Sequence, residues 1–271
     1  MTTKEHTLAL QRAQMPTGTH TVLERRTLTQ SNKNLLPLLK AGMTVLDVGC
    51  GSGSITCGMA EKVGNLGFVI GIDPSAELIS IAKEKYSAIS NLSFQVADIF
   101  EFETDRRFDV ISTARTLQWL DKPLAAIIKM KKLLKKNGII TVLDYNHEKI
   151  KWQPAPQQSM LRFYEAFLQW REAAGMDNQI ADHLESIFSE AGLKAIQITD
   201  ETEFSNNSDA DFHQAAGIWK TVAETRGHQL VSDGYITEED RLTTIKEYNH
   251  WLTADAISMK MYLRSATGHN E

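Results

Sequence analysis

The sequence predicts an α/β fold, a mostly parallel sheet with helices on both faces, and three observations carry that expectation. From Val45 to Asp144 short β-branched runs alternate with stretches of helical periodicity. The first run ends in a turn containing three glycines, and that turn opens a helix. Carboxylates stand in order at the ends of the first three runs: Asp47, Asp73 and Asp98. Alternating β and α segments imply parallel strands joined by right-handed crossovers.

Five runs read as buried strands because they are short, apolar or β-branched, and bounded by turn residues: Thr44–Val48, Phe68–Ile72, Leu92–Val96, Phe108–Ser112 and Ile139–Leu143. A helix is expected from about Ser54 to Val63. The next begins at Pro74–Ser75 and carries Leu78, Ala82 and Tyr86 at helical spacing. A third spans Asp121–Lys135, with Leu124, Ile127, Ile128 and Leu134 on one face, and Asn137–Gly138 reads as its stop. After Leu143 the rhythm changes. Pro154 and Pro156 mark a break, followed by an aromatic-rich amphipathic helix over Met160–Ala174 and a second helix over Ile180–Ala191 ending at Gly192. Leu193–Thr199 reads as a strand, Asp211–Thr225 and Glu238–Trp251 as helices, and Ala256–Leu263 as a last strand.

The chain has 271 residues, 42% of them apolar, enough for a sizeable core within one domain, residues 1–271. No apolar run reaches the roughly 18 residues of a membrane span, and Met1 to His20 is polar with no apolar core of a signal peptide. Cys50 and Cys57 match neither a metal site nor a redox pair, so free thiols in a reducing cytoplasm are expected. Residues 1–150 carry 19 basic and 15 acidic side chains; residues 151–271 carry 10 and 19, which makes the net charge of −5 a property of the second half. Solvated helix faces account for such acids. They form a poor surface for nucleic acid, whose affinity rests on Lys and Arg, so neither a nucleic-acid nor a membrane partner is expected.

The turn Asp47-Val48-Gly49-Cys50-Gly51-Ser52-Gly53 lets the backbone bend sharply and lets a ligand lie against it. Its N–H groups and the following helix N-terminus favour a carboxylate or phosphate. Asp73, 20 residues after Gly53 at the end of the second strand, is placed to accept the two hydroxyls of a ribose. So far any adenosine cofactor fits. Three features favour S-adenosylmethionine (SAM) over NAD. The third glycine of the dinucleotide fingerprint is replaced by Ser54. Asp47, two residues before the first glycine, would repel a pyrophosphate and welcome an α-ammonium. Asp98, in Val96-Ala97-Asp98, is placed to accept from an adenine amino group.

The runs VLDVGCGSG, GIDPS, VADIFEF, FDVISTARTLQWL and LLKKNGIITVLD together resemble the class I SAM-dependent methyltransferases, above all the ubiquinone/menaquinone-biosynthesis-type group and its small-molecule relatives. The likeness is close over residues 20–145 and loose over 146–271. It implies a Rossmann-like seven-stranded sheet of order 3-2-1-4-5-7-6 with the last strand antiparallel, a SAM-binding core over 20–145, and a helical substrate cap plus the last strands over 146–271. It implies further that Gly49, Cys50, Gly51 and Gly53 line the methionine moiety, that Asp73 and Pro74 meet the ribose, and that Ala97, Asp98 and Ile99 surround the adenine. Thr113, Ala114 and Arg115 would pass beside the sulfonium with Gln118 and Trp119 behind them. Arg26-Thr27 resembles the segment that closes over the cofactor, and the segment His20–Thr27 with helix Met160–Ala174 is expected to cover the cleft. The family's motif tolerates Cys at position 50, so no redox role is read there.

The acceptor is not written in a motif. There is no Asn-Pro-Pro-Tyr run, no Pro-Cys nucleophile and no metal-ligand cluster, and the eight histidines are scattered. The aromatics after strand five, including Phe163, Phe167, Trp170 and Trp219, fall in segments that cross the ligand-binding edge of such a sheet; their i, i+4, i+7 spacing equally suits helix packing. Methyl transfer from a sulfonium is an in-line displacement that needs a base only if the acceptor must lose a proton. His147, four residues past strand five, is the first candidate and Tyr145 the second; a solvent-exposed loop residue is the other reading of His147. A small-molecule methyltransferase is the leading expectation. A protein or RNA methyltransferase, a catalytically idle SAM-binding regulator and a nicotinamide-dependent dehydrogenase are the alternatives.

Overall fold

In a computed structural model that describes residues 3–16 and 26–271, eight strands form one sheet: β1 (Thr44–Val48), β2 (Phe68–Asp73), β3 (Leu92–Val96), β4 (Phe108–Ala114), β5 (Leu134–Gln153), β6 (Lys194–Asp200), β7 (Glu203–Asn206) and β8 (Ser258–His269). The order is β3-β2-β1-β4-β5-β8-β6. The first five strands are parallel, and β8 runs antiparallel to both β5 and β6. The topology is the one the sequence implies, with the antiparallel strand numbered eighth because of an extra strand, β7, which pairs with the first half of β8. Four residues without alternating burial carry too little periodicity to be read as a strand in advance.

Strand alternation sends successive side chains to opposite faces, and both faces are covered. Val45, Val69 and Val110 pack with Met59, Ala60 and Val63 of helix Ser54–Val63. Leu46, Val48, Ile70 and Ile111 pack on the other side with Ala126, Ile127 and Met130 of helix Pro123–Leu133 and with Leu184 and Phe188 of helix Ile180–Glu190. Helix Ala76–Lys85 is capped by Ser75, whose hydroxyl accepts the Leu78 N–H. A second core gathers Phe163, Phe167 and Trp170 of helix Gln158–Glu172 with Trp219, Tyr248 and Trp251 of the C-terminal helices, against Leu143, Tyr145, Met259 and Leu263. This cap rests on the far half of β5 and the near half of β8, which pair from Ile139 to Gln153.

Four elements differ from expectation, the first being β8, which starts at Ser258 and runs six residues past Leu263. β5 runs ten residues past Leu143, because β8 gives its polar second half a pairing partner. Helix Pro123–Leu133 stops before Asn137–Gly138; those residues form a bulge at the start of β5, where the register to β4 shifts and Asn137 takes φ +62°. Helix Asp211–Thr225 is divided at Gly217 into Phe212–Ala216 and Ile218–Thr225.

The glycine turn after β1 shows why its residue types are fixed. Gly53 has φ +82°, and a Cβ there would stand 2.6 Å from the Phe94 ring and 3.2 Å from Ala82 Cβ. Gly53→Ala should therefore cost about 2–4 kcal/mol in urea unfolding, the sum of a left-handed backbone and an overpacked contact. Gly42, with the same φ and nothing within 4 Å, supplies the control: Gly42→Ala should lose only the backbone part, about 1–2 kcal/mol. Equal losses at the two positions would contradict this packing account.

Candidate functional site

Ligands of open α/β sheets bind where neighbouring connections diverge, at the carboxyl ends of the strands. Here β1 sits between β2 and β4, and a cavity of about 1390 Å³ opens over that point. It exceeds the roughly 300–1,000 Å³ of a single small-ligand pocket, which leaves room for two molecules end to end.

One end is made by the loops after β1, β2 and β3. Gly49, Cys50, Gly51, Asp73, Pro74, Ala97, Asp98 and Ile99 line it. Asp73 braces the turn: its Oδ2 accepts the Gly51 N–H at 3.0 Å and its Oδ1 the Ser75 N–H at 2.9 Å. Each oxygen keeps a lone pair for a further donor. Asp98 accepts the Phe100 N–H at 2.9 Å in the same way. Burial, reinforced by the Asp47 and Asp73 carboxylates, pushes the Cys50 thiol well above its usual range, which agrees with an unreactive cysteine.

Three residues expected here stand outside the cavity wall. Asp47 is buried behind the turn, its Oδ2 accepting the Thr56 hydroxyl at 2.6 Å. Gly53 is a packing glycine against Phe94. Thr113 is a buried residue of β4. Gly49 does line the cavity, but the space its missing Cβ frees is filled by the Thr116 side chain.

In the middle, Arg115 takes φ +59° and turns its guanidinium inward. Its Nε donates to Tyr145 Oη at 2.9 Å, Nη1 to the Ser31 carbonyl at 2.8 Å and Nη2 to Glu203 Oε1 at 2.6 Å. Tyr145 Oη in turn donates to Glu203 Oε2 at 3.0 Å, so the phenol proton is committed to a carboxylate. Ala114 and Arg26 share this wall. Burial, then the nearby Arg115, lowers the pKa of the Arg26 guanidinium, so an added anion would be welcomed there. The expected covering segment lies outside the described residues as far as position 25; Thr27 caps the short helix Leu28–Ser31 by accepting the Gln30 N–H.

The far end is enclosed by the cap. His147 is on β5 and 5% exposed, not an exposed loop residue. Its Nε2 lies 2.5 Å from Gln118 Oε1. Gln118 is held in turn: its N–H donates to Asp144 Oδ2, its Nε2 to the Arg115 carbonyl, and Arg171 donates to both its Oε1 and its carbonyl. Burial, then Arg171, keeps the His147 pKa well below its usual value, so the imidazole is neutral. Gln118, Trp119, Phe167 and Trp219 line this end together with Tyr145 and His147. Phe163 and Trp170 do not; at i and i+7 around Phe167 they are buried in the cap's own core.

Sequence reasoning missed Glu203, Arg171 and Arg226. Glu203 sits on the unforeseen β7. Arg171 stands four residues after Phe167, so helical spacing alone places it on the buried face; charge hid it. Arg226 lines the cavity with its guanidinium 4.2 Å over the Trp119 ring.

Burial raises Asp47 to about 7, with the Thr56 bond opposing and Asp73 adding to the rise. Between about pH 4 and 7 the unfolded chain has released a proton that the fold retains, so Asp47 makes stability fall as pH rises through that window and is neutral to pH above it. Asp144, raised to about 6 by burial, acts in the same direction; the neutral His147 acts oppositely below its ordinary value. The difference between wild type and Asp47→Asn isolates the first effect. Across pH 4 to 7 in urea unfolding, wild type should lose about 2–4 kcal/mol relative to the variant; a constant difference would contradict it.

Among the described residues no group of three or more His, Cys, Asp or Glu could hold a metal ion, and no helix is long and apolar enough to cross a membrane. Comparison with known proteins agrees with the geometry. A demethylmenaquinone methyltransferase of Staphylococcus aureus is 33% identical over 108 residues, covering 39% of this chain and 44% of that protein. The chain spans less than half the length of the curated relatives it matches. The fold is shared with the YcgJ protein of Bacillus subtilis (TM-score 0.59, 18% identity, 90% of this chain and 99% of that one). It is shared too with Haemonchus contortus phosphoethanolamine N-methyltransferase 2, solved with phosphomonomethylethanolamine and S-adenosylhomocysteine (TM-score 0.56, 14% identity, 89% and 52%). A family model described as a methyltransferase domain matches residues 39–253, and the chain belongs to that methyltransferase family.

Proposed function

We propose that the chain transfers a methyl group from SAM to a small-molecule acceptor by in-line displacement. One observation carries the reading: a single cavity joins the glycine turn and Asp73 at one end to the buried His147 at the other. Family membership supports the reaction class.

The residues present fit SAM. Asp73 has one lone pair left on each carboxylate oxygen after bracing Gly51 and Ser75 and would accept the two ribose hydroxyls. Asp98 would accept from the adenine amino group, with Pro74, Ala97 and Ile99 against the ring. Gly49 and Gly51 would run beside the methionine end, and Arg26 would meet its carboxylate, relieving the desolvated guanidinium. Asp47 stands one layer further back, bonded to Thr56, and makes no contact with the cavity. When bound, SAM supplies an activated methyl on a good leaving group.

The chain's own residues then have three tasks. Gln118, Trp119, Phe167 and Trp219 hold the acceptor and exclude water; orientation of this kind supplies about 7–11 kcal/mol in well-aligned reactions. His147 receives the acceptor's proton. Tyr145 is the weaker candidate for that role because its hydroxyl already donates to Glu203, and burial raises its pKa further. Arg115, locked to Tyr145 and Glu203, keeps the passage between the two ends in shape. The setting is read as cytoplasmic, in keeping with the free thiols of Cys50 and Cys57, and the acidic second half favours a small acceptor over nucleic acid.

Asp73→Ala should weaken SAM binding by about 1.5–3 kcal/mol in isothermal titration, with the circular dichroism spectrum kept. Unchanged affinity would remove the ribose assignment. His147→Ala should lower kcat by about 10²-fold or more and leave SAM affinity alone, read as S-adenosylhomocysteine released with a panel of amines, phenols and quinones. Wild-type turnover in that variant would leave catalysis to proximity.

A further inference from the structure

Five side chains in the cavity wall carry buried polar atoms that no described residue satisfies, those of Asn34, Ser52, Thr202, His147 and Trp219, and the last two, at Nδ1 and Nε1, belong to ring neighbours at the cap end. Leaving such a group unpaired forfeits a hydrogen bond it would make in water, and an orphan of this kind in a site calls for an explanation in its ligand. The two rings are neighbours, with centroids 6.1 Å apart and planes at 82°. Phe167 packs edge-on against both and offers neither a partner.

Their hydrogen-bonding senses are fixed and opposite. An indole N–H can only donate. The imidazole tautomer is set by Gln118: its Nε2 donates to the Arg115 carbonyl at 3.1 Å and Arg171 Nη1 donates to its Oε1 at 3.2 Å, so an oxygen faces the ring. Nε2 of His147 therefore carries the hydrogen, and Nδ1 presents a lone pair. The two neighbouring rings thus hold one unsatisfied acceptor and one unsatisfied donor.

We infer that the methyl acceptor presents a hydroxyl group at this point, its O–H donating to His147 Nδ1 and one oxygen lone pair accepting from Trp219 Nε1–H. The inference rests on the methyl-transfer reading above and names its acceptor class. A hydroxyl oxygen has two lone pairs; one stays free to attack when the other accepts from the indole. A neutral amine has a single lone pair and loses its nucleophile if that pair is given to Trp219. An ammonium has none, a carbonyl has no proton for His147, and a carbon acceptor engages the pair only through a hydroxyl of its own. In the step that follows, the oxygen–methyl bond forms as the sulfur–methyl bond breaks, its electron pair stays with sulfur, and the hydroxyl proton passes to Nδ1. Gln118 is then a positioning residue, acting through His147.

The test is nuclear magnetic resonance on the full ¹⁵N-labelled chain saturated with S-adenosylhomocysteine, with phenol and aniline as matched probes and Trp219→Phe assigning the indole signal while keeping an aromatic ring. Phenol should move the Trp219 indole proton downfield and the His147 Nδ1 nitrogen upfield; aniline should move only the histidine. Trp219→Phe should weaken phenol about fivefold, the equivalent of one ordinary hydrogen bond, and leave aniline unchanged. The inference is overturned if phenol moves neither signal or only one, if aniline moves both, or if the indole proton is already hydrogen-bonded before any probe is added. Failure to bind S-adenosylhomocysteine would instead strike the methyl-transfer reading, and the phenol titration remains readable on the chain alone.

Discussion

The site hangs on the way the turn after β1 is tied to the end of β2. Gly49, Gly51 and Gly53 all take positive φ, a path that leaves the N–H groups of Gly49, Cys50 and Gly51 to partners outside the turn. The Ile72 carbonyl accepts from both Gly49 N and Cys50 N, at 2.8 and 3.0 Å, and the Asp73 carboxylate accepts from Gly51 N. The floor of the cavity is thus a piece of β1 clamped to β2. Asp73 holds the floor and also faces the cavity, so one side chain both shapes the site and would recognise the ligand.

A second knot, at Gln118, joins this floor to the cap. Its backbone N–H goes to Asp144 at the end of the parallel part of the sheet, and its side chain goes to His147 on β5 and Arg171 on the cap helix. Arg171 makes its bonds to Gln118 and Asn178, with none to a carboxylate. Burial, with the Arg171 charge adding to it, holds His147 neutral, and a neutral imidazole is the form that can accept a proton. Gln118 and Arg171 therefore both tie the cap to the sheet and stand beside the imidazole.

The parallel half of the fold was legible in the sequence because its inner strands β1, β2 and β4 are buried on both faces, and a run such as Val45-Leu46-Asp47-Val48 has no other stable placement. The glycines and Asp73 were legible for a related reason: only certain residue types can occupy such a turn. Legibility failed where long-range partners decide the outcome. The second half of β5 is polar and becomes a strand only because β8 lies beside it. Glu203 acquires its place through β7, and Arg171 is buried against the grain of its charge. Asp47, Gly53 and Thr113 were read by their position in the motif, and nothing local distinguishes a side chain facing a ligand from one facing the layer behind. The same holds for Phe163 and Trp170, one helical face away from Phe167. His147 was singled out by its distance from the strand end, but its burial and its bond to Gln118 are tertiary facts.

Every part of this account assumes that the clamped turn and Asp73 receive the adenosine of SAM and not that of a dinucleotide. Calorimetric titration of the wild-type chain with SAM and separately with NAD tests that assumption directly. The account predicts saturable binding of SAM, displaced by S-adenosylhomocysteine, and no heat with NAD. Binding of NAD without binding of SAM would contradict it.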